Sequence, residues 1–161
     1  MKAGRFALVV VPLSLFAAQL GAQAHAPVRA ELRADATSAT EQRLEIGGGA
    51  AIPMGTYVRV ALLAGAGVAR GGARAGNIGA ARAEIIARFQ IDPFHQGTRG
   101  LYGGGGVSYL ATAGERGRVY VTLLTGLELR DRGPVTPALE VALGGGVRVG
   151  VALRRTSKGW R

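Results

Sequence analysis

The chain contains no cysteine. Disulfides therefore cannot brace it, and thiolate metal or redox sites are excluded. Histidine is nearly as scarce, with only His25 and His95, and lysine is confined to Lys2 and Lys158. Aromatic residues make up only 6% of the sequence. After the first twenty or so residues, no stretch approaches the ~18 continuous apolar residues of a membrane-spanning helix. Glycine, by contrast, is abundant at 27 of 161 residues, alongside a 48% hydrophobic content. That mixture disfavours helices and suits strands that pack closely or bend.

The N-terminal stretch has its own logic. Lys2 and Arg5 precede an apolar run from Phe6 to about Leu20, and Ala22-Gln23-Ala24 supplies small residues at the positions a signal peptidase reads. This pattern predicts a secretory signal peptide over residues 1–24, with cleavage after Ala24 because Pro27 disfavours a later site. The remaining residues, 25–161, are expected to form one domain, since no linker or composition shift divides them. Losing Lys2 and Arg5 lowers the formal charge of +10 by two.

The segment "RAEIIARFQ", Arg82 to Gln90, decides the secondary structure. At 100° per residue its polar side chains scatter around a helix. At 180° per residue, Arg82, Glu84, Arg88 and Gln90 share one face, opposite Ala83, Ile85, Ala87 and Phe89, and only Ile86 breaks the alternation. The same period recurs in 27–35, 43–51, 56–69, 101–111 and 118–130, and throughout 138–155. In the last stretch a three-residue hairpin at Gly144-Gly145-Gly146 preserves the phase, so we expect two strands there. Breakers at 36–40, 53–55, 70–77, 93–100, 113–117 and 131–135 separate the others. No gap is long enough for a helical crossover. The expected fold is all-β: an antiparallel up-and-down meander barrel of about eight strands.

Alternation alone does not say which face is inside. In a soluble barrel the charges face water; in an outer-membrane barrel they face the lumen. The polar face here is Arg, Glu, Gly and Tyr, almost without Lys, and its small residues leave room for long charged side chains in a narrow lumen. Strands of about 9–14 residues also suit a bilayer, whose core ~9–11 tilted residues cross. Only a thin set of aromatic girdle candidates is present: Phe89, Phe94, Tyr109 and Trp160.

Signal peptide, eight amphipathic strands and short turns together resemble the small eight-stranded outer-membrane β-barrel proteins of Gram-negative-type bacteria. The resemblance is architectural, covers roughly residues 27–161 and rests on no diagnostic motif. It implies the outer membrane as location and the lipid bilayer as partner. Such barrels commonly end in an aromatic residue, whereas Trp160 is followed here by Arg161.

In that arrangement the lumen holds Arg29, Glu31, Arg33, Arg43, Glu45, Arg59, Arg82, Glu84, Arg88, Glu128, Arg130, Glu140 and Arg148. They are expected to pair as Arg–Glu networks across the barrel, because an unpaired ion there is costly. The surplus of arginine leaves a pore or an anion site as the competing use. Catalysis has little to stand on. His95 sits in the turn "DPFHQG" near Asp92, and Ser38, Ser108 and Ser157 have no nucleophile setting. No carboxylate cluster has metal-ligand spacing, and the glycine runs lack the Lys-Ser/Thr of a phosphate loop. No cofactor is expected, and the export signal argues against a nucleic-acid partner despite a pI near 11.3. Basic loops at Arg70, Arg74, Arg116 and Arg118, with Arg154, Arg155, Lys158 and Arg161 of the tail, are candidates for lipid phosphates. The expected function is a non-enzymatic outer-membrane barrel with a salt-bridged interior and a structural or surface-interaction role. The alternative is a soluble periplasmic or secreted barrel holding a small apolar ligand.

Overall fold

A computed structural model of the chain describes residues 28–71, 74–91, 99–129 and 134–155, without the side chains of 74, 75 and 99. The expected signal peptide, His95, Asp92, Arg130, Phe94, Trp160 and the last residues of the tail lie outside these segments. Eight strands run in chain order: β1 (Arg29–Ser38), β2 (Glu41–Pro53), β3 (Val58–Gly71), β4 (Arg74–Gln90), β5 (Arg99–Thr112), β6 (Arg118–Leu129), β7 (Val135–Leu143) and β8 (Val147–Arg155). Each pairs antiparallel with its sequence neighbour, and β8 returns to β1 in the register Glu31↔Arg154 through Ser38↔Val147. The sheet is therefore a closed up-and-down barrel with no free edge.

The period-two pattern explains why these segments become strands and sets the phase of the wall. Along β1, burial alternates through Glu31, Arg33, Asp35 and Thr37, while Leu32, Ala34 and Ala36 face out. β8 does the same, with Arg148, Gly150, Ala152 and Arg154 inside and Val147, Val149, Val151 and Leu153 outside. Val121 is 75% exposed and Leu123 is 61% exposed, whereas Arg88 is 1% exposed. The apolar face is thus the outer wall and the charged face is the interior.

The outer apolar stripe of β3 runs from Val58 to Val68. Ten residue steps at ~3.3 Å span ~33 Å, and a strand tilt of ~40° reduces the height to ~25 Å, the thickness of a membrane barrel's apolar band. Tyr57 and Phe89 lie exposed near one end of this band, and exposed Tyr109 lies near the other. At the end where β1 begins and β8 finishes, the terminus end, the strand connections are 54–57, 91–98 and 130–134. At the far end they are 39–40, 72–73, 113–117 and 144–146.

Three details differ from the sequence reading or sharpen it. The breaker expected over 70–77 shrinks to 72–73: β4 begins at Arg74, and the β3–β4 ladder shifts register between Arg70 and Gly71. Gly71 and Gly76, at φ 111° and 98°, flank this register shift. β7 starts at Val135, inside the breaker expected over 131–135, and includes Pro137. The β6–β7 ladder begins only at Glu128↔Ala138, so the missing N–H of Pro137 removes no bond from that seam. The Gly144–Gly146 hairpin does form, with Gly145 and Gly146 at φ 71° and 144°.

Candidate functional site

The interior is the chemically distinctive part of the molecule. Among the described residues, six arginines are buried (33, 59, 82, 88, 148 and 154), as are six carboxylates (Glu31, Asp35, Glu45, Glu84, Glu128 and Glu140). The count matters because equal numbers leave this set neutral, so the surplus of arginine in the sequence is carried elsewhere.

Toward the terminus end, Arg154 on β8 is the hub. Its guanidinium donates to Glu31 Oε2 at 2.9 Å, Glu128 Oε1 at 2.5 Å, Glu140 Oε1 at 2.6 Å and Tyr102 Oη at 2.8 Å. Arg88 makes a two-pronged pair with Glu31, at 2.6 and 2.9 Å, and lies 2.9 Å from Glu140. Arg59 completes this end by donating to Glu128 at 3.1 Å. Tyr102 donates its hydroxyl to Glu140 at 2.7 Å, and its ring lies 4.7 Å from the Arg154 guanidinium carbon. That ring fits because its cross-strand neighbour is Gly126: a Cβ at this position would run into it.

A second group lies toward the far end. Arg82 reaches Asp35 at 2.5 Å and Glu45 at 3.2 Å, while Arg148 donates to Glu84 at 2.7 Å. Ser108 donates to Glu84 at 2.7 Å and forms a short hydrogen bond with Thr122. Arg33 joins the two groups, donating to both oxygens of Asp35 at 2.6 and 2.8 Å and to Glu140 at 2.9 Å.

Between and beside these ions sits a small apolar cluster of Ala51, Ala61, Leu63, Ile86, Tyr102, Leu124 and Ala142. It explains the one break in the "RAEIIARFQ" alternation. Ile86 faces inward and is fully buried because the barrel interior needs an apolar filler at that height. The void beside Arg33, Leu63, Arg82 and Glu84 has no room for a water molecule. β5 also approaches β4 closely: a Cβ at Gly104 or Gly106 would collide with the backbone carbonyls of Ala87 or Ile85. The glycine run is a packing device, not a phosphate loop.

Of the residues expected in the lumen, Glu31, Arg33, Glu45, Arg59, Arg82, Glu84, Arg88, Glu128, Glu140 and Arg148 are brought together there. Arg43 sits instead at the far mouth, part-buried, donating to Glu41 at 3.0 Å and Thr112 at 2.7 Å. Arg29 is half-buried at the first position of β1. Arg154 corrects the sequence reading: it was grouped with a lipid-facing tail, but the inward phase of β8 makes it the centre of the interior network. Asp35, Tyr102, Ser108 and Thr122 were not expected to contribute. Asp35 and Tyr102 sat on the polar side of the alternation, the only signal that could have found them. Ser108, considered as a nucleophile, is spent on Glu84 and Thr122. Among the described residues no group of His, Cys, Asp and Glu is arranged to hold a metal ion.

At the far mouth, residues including Thr40, Arg43, Thr112, Glu115, Arg116, Arg118 and Tyr120 line an open cavity of about 250 Å³. On the outer wall, a shallower groove of about 520 Å³ crosses β8, β1, β2, β3 and β4 near the same end.

No protein-family model matches the chain, and no curated protein matches it in sequence. Among solved structures it is similar to the N-terminal β-barrel domain of Pseudomonas aeruginosa OprF, with a TM-score of 0.54 at 12% identity over 78% of this chain and 96% of that one. It is also similar to Neisserial surface protein A, with a TM-score of 0.59 at 13% identity, covering 81% and 96% respectively. At such identities the likeness concerns the fold: the eight-stranded barrel of small outer-membrane proteins.

Proposed function

We propose that the chain is exported, loses residues 1–24, and inserts in the outer membrane as a non-enzymatic, non-conducting barrel with a structural role. The observation that carries this reading is the inverted phase: an apolar outer wall about 25 Å tall around an interior of six arginines and six carboxylates. A soluble barrel with an apolar ligand needs the opposite phase, and the interior void beside Arg33, Leu63, Arg82 and Glu84 does not admit even a water molecule. The neutral, hydrogen-bonded interior argues for a plug rather than an ion path, because each charge is already engaged by a cross-strand partner. Surface interaction through loops has less support, since two of the four far-end connections are two residues long.

Cell fractionation with unboiled and boiled gel mobility tests the location. Recovery with the outer membrane and a heat-dependent mobility shift are expected; recovery in the detergent-free soluble fraction would overturn it. Purified barrel in planar bilayers is expected to give no stepwise conductance.

A further inference from the structure

The outer wall is not uniform around its circumference. Register places Val149, Ala36, Leu44 and Val68 side by side on four adjacent strands, β8, β1, β2 and β3. The small Ala36 between Val149 and Leu44 makes a dip in this apolar row. Two residues nearer the far end, Ser38, Gln42, Arg70 and Asn77 form the next lateral row, on β1 to β4. All eight residues line the groove of about 520 Å³. Along the strands, Arg70 and Arg155 are the outward-facing charged side chains among those described, and they lie at opposite ends of the barrel.

We propose that this groove is a binding site for one phosphate-bearing membrane lipid, with an acyl chain over Ala36 and the phosphate at Arg70. The proposal rests on the membrane-barrel reading and adds a partner to its wall. The step from an apolar row to a polar row carrying one cation matches the step from acyl chain to headgroup in an anionic lipid. Arg70 offers a guanidinium fork suited to a phosphate, and Gln42, Ser38 and Asn77 supply neutral hydrogen-bonding groups beside it. A zwitterionic lipid fits the apolar dip equally well but adds a choline cation beside Arg70. Charge therefore selects between the two, while Ala36 sets the depth of the seat.

Native mass spectrometry of the detergent-purified barrel with equal dioleoyl phosphatidylglycerol and dioleoyl phosphatidylcholine tests the site. The wild type is expected to retain the anionic lipid about fivefold more, as one juxtamembrane arginine implies. Arg70→Gln should abolish the preference, Ala36→Phe should lower retention of both lipids, and Arg155→Gln should change neither. All three variants alter outward-facing positions, and heat-dependent gel mobility verifies that each is folded. Equal retention of the two lipids by a folded wild-type barrel, or an unaltered preference in Arg70→Gln, overturns the proposal while leaving the membrane reading intact. A wild type that neither shows the mobility shift nor enters vesicles overturns both.

Discussion

Replacing Glu140 by alanine removes the most heavily engaged carboxylate in the barrel. Its side chain receives hydrogen bonds from Arg33 at 2.9 Å, Tyr102 at 2.7 Å and Arg154 at 2.6 Å, and it pairs with Arg88 at 2.9 Å. All of these partners are buried. The variant leaves six buried arginines facing five buried carboxylates. Breaking a buried ion pair by deleting one partner costs ~3–5 kcal/mol. Arg33, Arg88 and Arg154 each keep another acid, Asp35 or Glu31 or Glu128, which favours the lower half of that range. With a urea dependence of ~2 kcal/mol per M, the unfolding midpoint in detergent micelles should fall by ~1.5–2 M. Glu140→Gln, which keeps an acceptor for Tyr102 but not the charge, should fall by less. Glu115→Ala, an exposed carboxylate at the far mouth, should stay within ~0.5 kcal/mol. If Glu140→Ala shifts the midpoint no more than Glu115→Ala, the interior network is not what holds the barrel, and the structural reading loses its basis.

Four further outcomes follow from the same geometry. Leu123→Arg, outward-facing at the middle of β6, should cost ~2–4 kcal/mol in a bilayer; a soluble barrel would tolerate it, so urea titration in vesicles separates the readings. Gly126→Val would press into the Tyr102 ring and should destabilise by ~1–3 kcal/mol, accompanied by a change in near-ultraviolet dichroism. Gly150→Ala drives a methyl group into the Asp35 carboxylate, which holds both Arg33 and Arg82, and should lower the thermal midpoint seen by gel mobility. N-terminal sequencing of the exported protein should begin at His25; a start at Met1 would refute cleavage.

The strands were legible because a period of two survives in almost every segment, and one inward-facing isoleucine, Ile86, was enough to register as a defect. The hairpin at Gly144–Gly146 was legible from phase alone: Leu143 and Val147 had to stay on one side. The start of β4 was not, because "RGGARAGN" has the composition of a loop and only cross-strand pairing with β3 makes most of it strand. Face membership of the ionic residues could be read from parity, as with Glu31, Glu84 and Arg148. Their partners could not, since Arg33 finds Glu140 across 107 residues and Arg148 finds Glu84 across 64. Arg154 shares the polar side of 138–155 with Glu140 and Arg148, but its nearness to the chain end grouped it with the tail, whereas closure of β8 on β1 makes it interior.

That closure has a consequence for how the barrel is made. Arg154 lies on the last strand, and Glu31, which it contacts from 123 residues away, lies on the first. Until β8 arrives, Glu31, Glu128 and Glu140 all lack their common cation, and an open sheet inserted in lipid would hold unbalanced carboxylates against its inner face. Joining the two ends therefore does more than complete a ladder of backbone bonds. It brings the charge of the buried set to zero, and for a barrel that folds in a membrane, as proposed above, this disfavours a stable half-inserted form.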